Sequence, residues 1–288
     1  MSDMLVSTDW LQRHLETPGL RIYDCTVHLH PWPGAAGQTP ESGFEEWQAG
    51  HIPGSAFIDL TGEFAAPSDR FNFLVLGPER FAQAAGKAGI GEGTRVVLYD
   101  RALNRWAARM WWMLRAFGFD TAAVLDGGWN RWVGEGRPVS VDPPQYPSAC
   151  FDARPRYGLI ADKTQVAASL GNPGVHLVNA LTAEQHEGAG GVHYGRPGHI
   201  PGSVNLSARD LVDSDTHAYL PLAELRQRFA AAGVLDGRPV IVYCGSGIAA
   251  SSDALILTAL GAHDVSIYTN SLQEWAADLS LPMTTEEQ

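Results

Sequence analysis

Residues Gly50-His51-Ile52-Pro53-Gly54-Ser55 return letter for letter as Gly198-His199-Ile200-Pro201-Gly202-Ser203. A repeat of this composition constrains the fold more than any other feature, because it marks two copies of one domain. Further pairs extend it. Leu15–Asp24 parallels Leu170–Asn179, Leu114–Gly118 parallels Leu257–Gly261, and Asp126–Trp132 parallels Thr269–Trp275. A chain of 288 residues is long for one hydrophobic core and comfortable for two. Between the copies runs Arg137–Arg156, with Pro138, Pro143, Pro144, Pro147 and Pro155. Such a stretch continues neither a helix nor a central strand, so it reads as the linker. The expected organisation is a first domain at 1–137, a linker at 138–158 and a second domain at 159–288.

Within each copy short apolar runs alternate with helical patterns. Leu20–Tyr23, Val96–Tyr99 and Ala122–Leu125 read as buried strands. Ser7–Leu15, Pro78–Ala88 and Trp106–Phe117 read as helices. This alternation predicts an α/β fold: two like domains, each a mainly parallel sheet flanked by helices. Ligands of such sheets sit beyond the carboxyl ends of the strands. The copies differ at one such end. Arg95-Val96-Val97-Leu98-Tyr99 leads to Asp100, whereas Pro239-Val240-Ile241-Val242-Tyr243 leads to Cys244. The reactive residue is therefore expected in the second copy, and the first copy is expected to be non-catalytic.

The bulk numbers exclude several classes. A net charge of −12 opposes nucleic-acid binding, which needs a basic surface. Cys25, Cys150 and Cys244 are too scattered for a disulfide framework or a metal site, so a cytoplasmic setting is expected and no metal or organic cofactor is implied. Met1–Trp10 lacks the basic-then-apolar pattern of a signal peptide. The apolar stretches fall well short of a membrane span.

Cys244-Gly245-Ser246-Gly247-Ile248-Ala249 follows a β-run and precedes a helical run, Ala250–Leu260. Gly245 and Gly247 permit backbone conformations closed to other residues. Successive N–H groups can then turn inward as an anion-binding nest, with the positive end of the helix dipole behind them. A thiol placed there is set to react as a thiolate. Cys25 and Cys150 lack such a loop and are expected to be buried structural cysteines. A cysteine phosphatase would need an arginine six positions after the nucleophile to clamp phosphate. That position is Ala250, which leaves sulfur transfer through a persulfide.

With these motifs the chain resembles the tandem rhodanese-domain sulfurtransferases over nearly its whole length. The resemblance rests on the two Gly-His-Ile-Pro-Gly segments, Asp126-Gly127-Gly128-x-x-x-Trp132, Trp111-Trp112-Met113-Leu114-Arg115 and the Cys-Gly-Ser-Gly loop. That loop is similar to the one in 3-mercaptopyruvate sulfurtransferases, because the thiosulfate-preferring rhodaneses usually carry basic residues after the cysteine. The resemblance implies that Ser246 works with His51 and an upstream acidic residue, for which Glu41 is the nearest match. It gives His199 a structural role.

Departures from the family fall in both copies: in the first, its Pro-His-Met-Leu-Pro segment is Asn72-Phe73-Leu74-Val75-Leu76 here. Arginines common after the second copy's first strand are Leu181 and Gln185 here, and the latter position usually helps bind the substrate carboxylate. Losing a clamp of that kind commonly costs roughly 2–5 kcal/mol. Arg196, Arg105 or Arg109 is expected to supply a replacement cation, so the substrate-binding candidates are His51, Arg109, Gln185 and Arg196. His186 and His193 are expected to be solvated. The chain is expected to move sulfur from a small donor, 3-mercaptopyruvate-like, thiosulfate or non-standard, to a thiol, cyanide or a protein cysteine. Neither nucleic acid nor membrane is expected as a partner. The alternative is a catalytically weak partner-binding or thiol-sensing module, motivated by the lost arginines. The site should lie in a cleft between the domains.

Overall fold

A computed structural model describes residues 4–32 and 37–285; the first three residues of the N-terminal stretch read above lie outside them. The first domain comprises β1 (Leu5–Val6), α1 (Thr8–His14), β2 (Leu20–Asp24), β3 (Val27–Pro31), β4 (Gln38–Ser42), α2 (Phe44–Ala49), β5 (Ser55–Phe57), α3 (Pro78–Lys87), β6 (Arg95–Tyr99), α4 (Arg105–Ala116), β7 (Ala122–Leu125) and α5 (Gly128–Gly134). The second comprises β8 (Ile160–Ala161), α6 (Lys163–Ser169), β9 (His176–Asn179), α7 (Ala183–Glu187), β10 (Val204–Asn205), α8 (Leu222–Ala231), β11 (Val240–Tyr243), α9 (Ala249–Ala259), β12 (Val265–Tyr268) and α10 (Ser271–Trp275). The elements expected from the sequence fall within a residue or two of these bounds. Local chemistry accounts for several ends. The Ser7 side chain accepts the Trp10 N–H at the start of α1, and Pro78 opens α3 where its missing N–H costs nothing.

Each domain carries a five-stranded parallel sheet, and the strand orders correspond. The first runs β1-β7-β6-β2-β5 and the second β8-β12-β11-β9-β10. The middle strands are continuous buried apolar runs, Val96–Tyr99 in β6 after the exposed Arg95 and Val240–Tyr243 in β11, as expected of a sheet covered on both faces. Asp100 and Cys244 therefore stand at equivalent places, just past the carboxyl end of the middle strand. The first domain adds an antiparallel hairpin, β3–β4, which leans toward the second domain: the Gly37 N–H donates to the His193 carbonyl at 2.8 Å.

The two domains are welded through the helices that follow those strand ends. Helix α4 packs along α9, and buried side chains of both helices join one continuous core. Polar contacts across the seam fix its register. The Asn104 amide donates to the His217 carbonyl at 2.7 Å, and Asp126 accepts the Tyr219 N–H at 2.8 Å.

The segment between α5 and residue 157 contains no helix or strand, only a bridge between Ser140 and His51. It is nevertheless docked on the first domain. The Ala149 N–H donates to the Gly86 carbonyl and the Arg154 N–H to that of Phe117. A side chain at Gly91 would lie 2.3 Å from the Cys150 carbonyl, so glycine there permits the close approach. Two expectations are corrected. Cys150 is exposed rather than buried, because the docked segment turns its main chain, not its thiol, toward the domain. His186 is buried rather than solvated and stacks on His199 with ring centroids 3.6 Å apart; His193 is exposed.

Candidate active site

Strand β11 delivers Cys244 into a tight loop whose outer face is tied down. The Cys244 N–H donates to Ser271 Oγ at 3.0 Å, and that hydroxyl donates to the Tyr268 carbonyl. Carbonyls of Cys244 and Gly245 accept N–H groups of Leu272 and Gln273 at the start of α10. With its carbonyls held outward the loop turns N–H groups inward, and the Gly247 N–H donates to Cys244 Sγ at 3.1 Å. Gly247 is left-handed, with φ near +80°, and a side chain there would lie 2.6 Å from the Thr269 carbonyl. Gly245 is glycine for another reason: a Cβ would sit 1.9 Å from Tyr194 Cζ. The ring of Tyr194 covers the loop, and its hydroxyl lies 3.1 Å from Gln38 Oε1 on the first domain's hairpin.

The first copy shows what this loop does with an anion. There the Asp100 carboxylate accepts four main-chain N–H groups, from Ala102, Asn104, Trp106 and Ala107, at 2.6–3.0 Å. The nest is thus filled by the chain's own carboxylate. In the second copy a sulfur takes the equivalent place, and beside it opens a cavity of about 620 Å³. Cys244, Gly245, Ser246, Ile248 and Ala249 form one wall, and Leu29, Pro31 and Gln38 of the hairpin face them from the first domain. A smaller cavity of about 250 Å³ meets it at Tyr194, Gln38, Leu29 and Ser246. Among the described residues the Ser246 hydroxyl makes no hydrogen bond within the protein.

Helix α4 aims two cations at this loop, since Arg105 and Arg109 are four residues apart and share a face. Arg109 is buried; one guanidinium nitrogen donates to the Phe73 carbonyl at 2.8 Å, while Nη1 has no partner. A side chain at Gly247 would stand 3.1 Å from that Nη1. Burial pushes the Arg109 guanidinium down to about 10, opposed by the nearby Cys244. Arg105 lines the cavity itself. Burial also lowers its proton affinity, with Asp100 opposing and Arg209 reinforcing the shift. The Tyr194 hydroxyl is pushed well up, by burial first and then by Cys244.

The candidate residues separate. Cys244, Gly245, Ser246, Ile248, Ala249 and Gln185 line the larger cavity, and Gly247 and Arg109 lie directly behind it. Gln185 is partly committed: it closes the capping box of α7 and donates to the Val192 carbonyl at 2.6 Å. His51 does not reach the cavity. Its ring stacks on Trp47, and its nitrogens lie 2.8 and 3.1 Å from the carbonyls of Trp47 and Asp142. The joint role expected for Ser246 and His51 is therefore corrected. Arg196 is also absent from the cavity, because its guanidinium serves four main-chain carbonyls, those of Trp275, Ala276, Asp278 and Leu281. Glu41 is exposed on the hairpin and pairs with His30. Among the cavity residues that the sequence reading does not single out are Tyr194 and Arg209. A signal for the latter exists: the repeat sets Arg209 opposite Thr61, so a cation stands in the second copy alone.

Among the described residues no cluster of histidine, cysteine or carboxylate side chains forms a metal site, and no helix is long and apolar enough to cross a membrane. The model of the rhodanese-like domain matches residues 7–135 and again 162–278. A probable 3-mercaptopyruvate sulfurtransferase of Pseudomonas aeruginosa is 31% identical, covering 99% of both chains. A thiosulfate sulfurtransferase of Gallus gallus is 30% identical over 94% of this chain and 92% of its own. Among solved structures, SseA of Escherichia coli, a 3-mercaptopyruvate sulfotransferase of the rhodanese fold, superposes with a TM-score of 0.77 at 28% identity, covering 93% of this chain and 98% of that one. The anaerobic ergothioneine biosynthesis enzyme of Chlorobium limicola has the same fold over 99% of this chain and 71% of that one, with a TM-score of 0.83 at 21% identity.

Proposed function

Because the chain belongs to the rhodanese-like domain family, whose fold it carries twice, we propose that it is a sulfurtransferase in which Cys244 accepts a sulfane sulfur and holds it as a persulfide. The observation that carries this reading is the Gly247 N–H directed at Cys244 Sγ at 3.1 Å, in a loop whose twin wraps its N–H groups around the Asp100 carboxylate. A charge-assisted bond of this kind is worth about 1.5–3 kcal/mol. It favours both the attacking thiolate and the persulfide anion that replaces it.

The donor is 3-mercaptopyruvate, thiosulfate or a related small sulfur compound. With 3-mercaptopyruvate, the Cys244 thiolate attacks the donor sulfur and an S–S bond forms. The C–S bond breaks, its electron pair leaves on carbon as the pyruvate enolate, and a proton completes pyruvate. With thiosulfate, the S–S bond breaks and sulfite leaves with the pair. An acceptor thiolate or cyanide then attacks the outer sulfur and releases Cys244. The unpartnered Ser246 hydroxyl is within the same cavity and is available to hydrogen-bond the donor. Asp100 cannot carry sulfur, so the first domain shapes the cavity and contributes cations. The setting is cytoplasmic, which suits three unpaired cysteines with Cys150 exposed.

The test is thiocyanate release from cyanide with each donor, in wild type and in Cys244→Ser, Cys25→Ser and Cys150→Ser. Activity lost in Cys244→Ser and kept in the other two is expected. Equal activity in Cys244→Ser would refute the assignment.

A further inference from the structure

Arg105 and Arg209 line the same cavity as Cys244, and each comes from a different domain. Among the described residues neither guanidinium makes a salt bridge or a hydrogen bond; Arg105 is half-buried and Arg209 is exposed at the cavity rim. Arg105 Nε is buried without a partner, and the positive charge of Arg209 adds to the effect of burial on Arg105 while Asp100 opposes it. Holding the half-buried Arg105 guanidinium without a hydrogen-bonded carboxylate costs free energy. Among the described residues the one carboxylate on the cavity wall is Glu184, which is exposed and feels the charge of Arg209 but forms a salt bridge with neither arginine. Leu29, Pro31, Leu181 and Val192 supply apolar lining.

We propose that Arg105 and Arg209 form a split clamp for the anionic group of the sulfur donor, assembled across the domain seam. Planar guanidinium groups present paired donors that match the two oxygens of a carboxylate or the oxyanion face of thiosulfate. The clamp stands on the same cavity as the sulfur atom, so a small donor held by its anionic end presents its sulfur to Cys244. It supplies cationic recognition that Leu181 and Gln185 cannot. Because Leu181 and Gln185 line this cavity and share a small recess of it with Arg105 and Arg209, the cations stand beside the positions where arginines are lacking. Arg105 sits in the first turn of α4 and Arg209 in the turn after β10, so the clamp exists only while the domains stay docked. What the bound anion is for rests on the proposed role of Cys244, but its binding does not.

The test therefore uses the full chain as Cys244→Ser, which cannot carry sulfur, titrated calorimetrically with 3-mercaptopyruvate and separately with thiosulfate at low salt. Arg105→Gln and Arg209→Gln are each expected to weaken binding of the better ligand at least fivefold. Arg105→Lys and Arg209→Lys should recover part of that loss, and Arg154→Gln, a change at an exposed arginine, should leave binding unaltered. Binding weakened less than fivefold in both Gln variants would overturn the clamp, as would failure of the parent to bind either anion. A wild type that fails to load sulfur while these binding losses persist would sink the persulfide reading and leave the clamp standing.

Discussion

Substituting Gly245 by alanine tests the packing above the cysteine directly. The backbone at Gly245 is not left-handed, so alanine is permitted by conformation and the cost is steric alone. The new methyl would lie 1.9 Å from Tyr194 Cζ and 2.2 Å from both Cε2 and Oη. Carbon atoms rest at about 3.5–4.0 Å, so the ring must retreat by about 1.5–2 Å. That retreat breaks the contact between Tyr194 Oη and Gln38 at 3.1 Å, worth about 1 kcal/mol. Overpacking adds about 1–3 kcal/mol, for a total of about 2–4 kcal/mol. The assay is a double-mutant cycle by urea unfolding of the full chain, with Tyr194→Ala as the second change. Once the ring is gone those three contacts are gone, so Gly245→Ala should cost less than about 0.5 kcal/mol in that background, leaving a coupling of about 1.5–4 kcal/mol. A penalty of equal size in both backgrounds would refute the idea that Tyr194 is what demands glycine.

Three further outcomes are expected. Gly247→Ala forces a side chain into the left-handed region and against the Thr269 carbonyl, at about 1–3 kcal/mol for the backbone alone; cyanide-dependent thiocyanate release should fall at least tenfold while the fold, read by circular dichroism, persists. Asp100→Asn leaves about two of the N–H groups now bonded to the carboxylate facing an amide NH2 instead, so urea denaturation should show a loss on the order of 3 kcal/mol without the residue ever touching the donor. Burial, then repulsion from His199, lowers His186 to about 4. The unfolded chain therefore binds the proton first, and stability should be complete above about pH 6.5 and decline as pH falls toward 4; His186→Phe, which keeps the stack, should flatten that part of the urea-midpoint profile.

Much of the architecture is legible in the chain because it is written twice. The Gly-His-Ile-Pro-Gly segments mark equivalent turns, and the alignment they impose sets Asp100 against Cys244 at the end of matching strands. The contrast between those two residues also locates the loop. Side-chain direction is less legible. His51 sits in a motif that reads as functional, yet its ring is spent on main-chain carbonyls of the first domain; the recurrence of that histidine as His199, with Nδ1 on the His186 carbonyl, was the available sign of a shared structural use. Arg196 looked free beside glycine and proline, but the carbonyls it serves are contributed by residues about eighty positions on, and no local pattern announces such a partner. Arg209 and Tyr194 were missed because each becomes a cavity residue only when the domains dock.

The most direct test of the central claim is the intact mass of the fully reduced protein after incubation with 3-mercaptopyruvate or thiosulfate, beside Cys244→Ser. The account predicts a gain of one sulfur atom in the wild type, removed by cyanide and absent from the variant. A gain of the same size in Cys244→Ser, or no gain with either donor while Cys244 still reacts with a small alkylating agent, would contradict it.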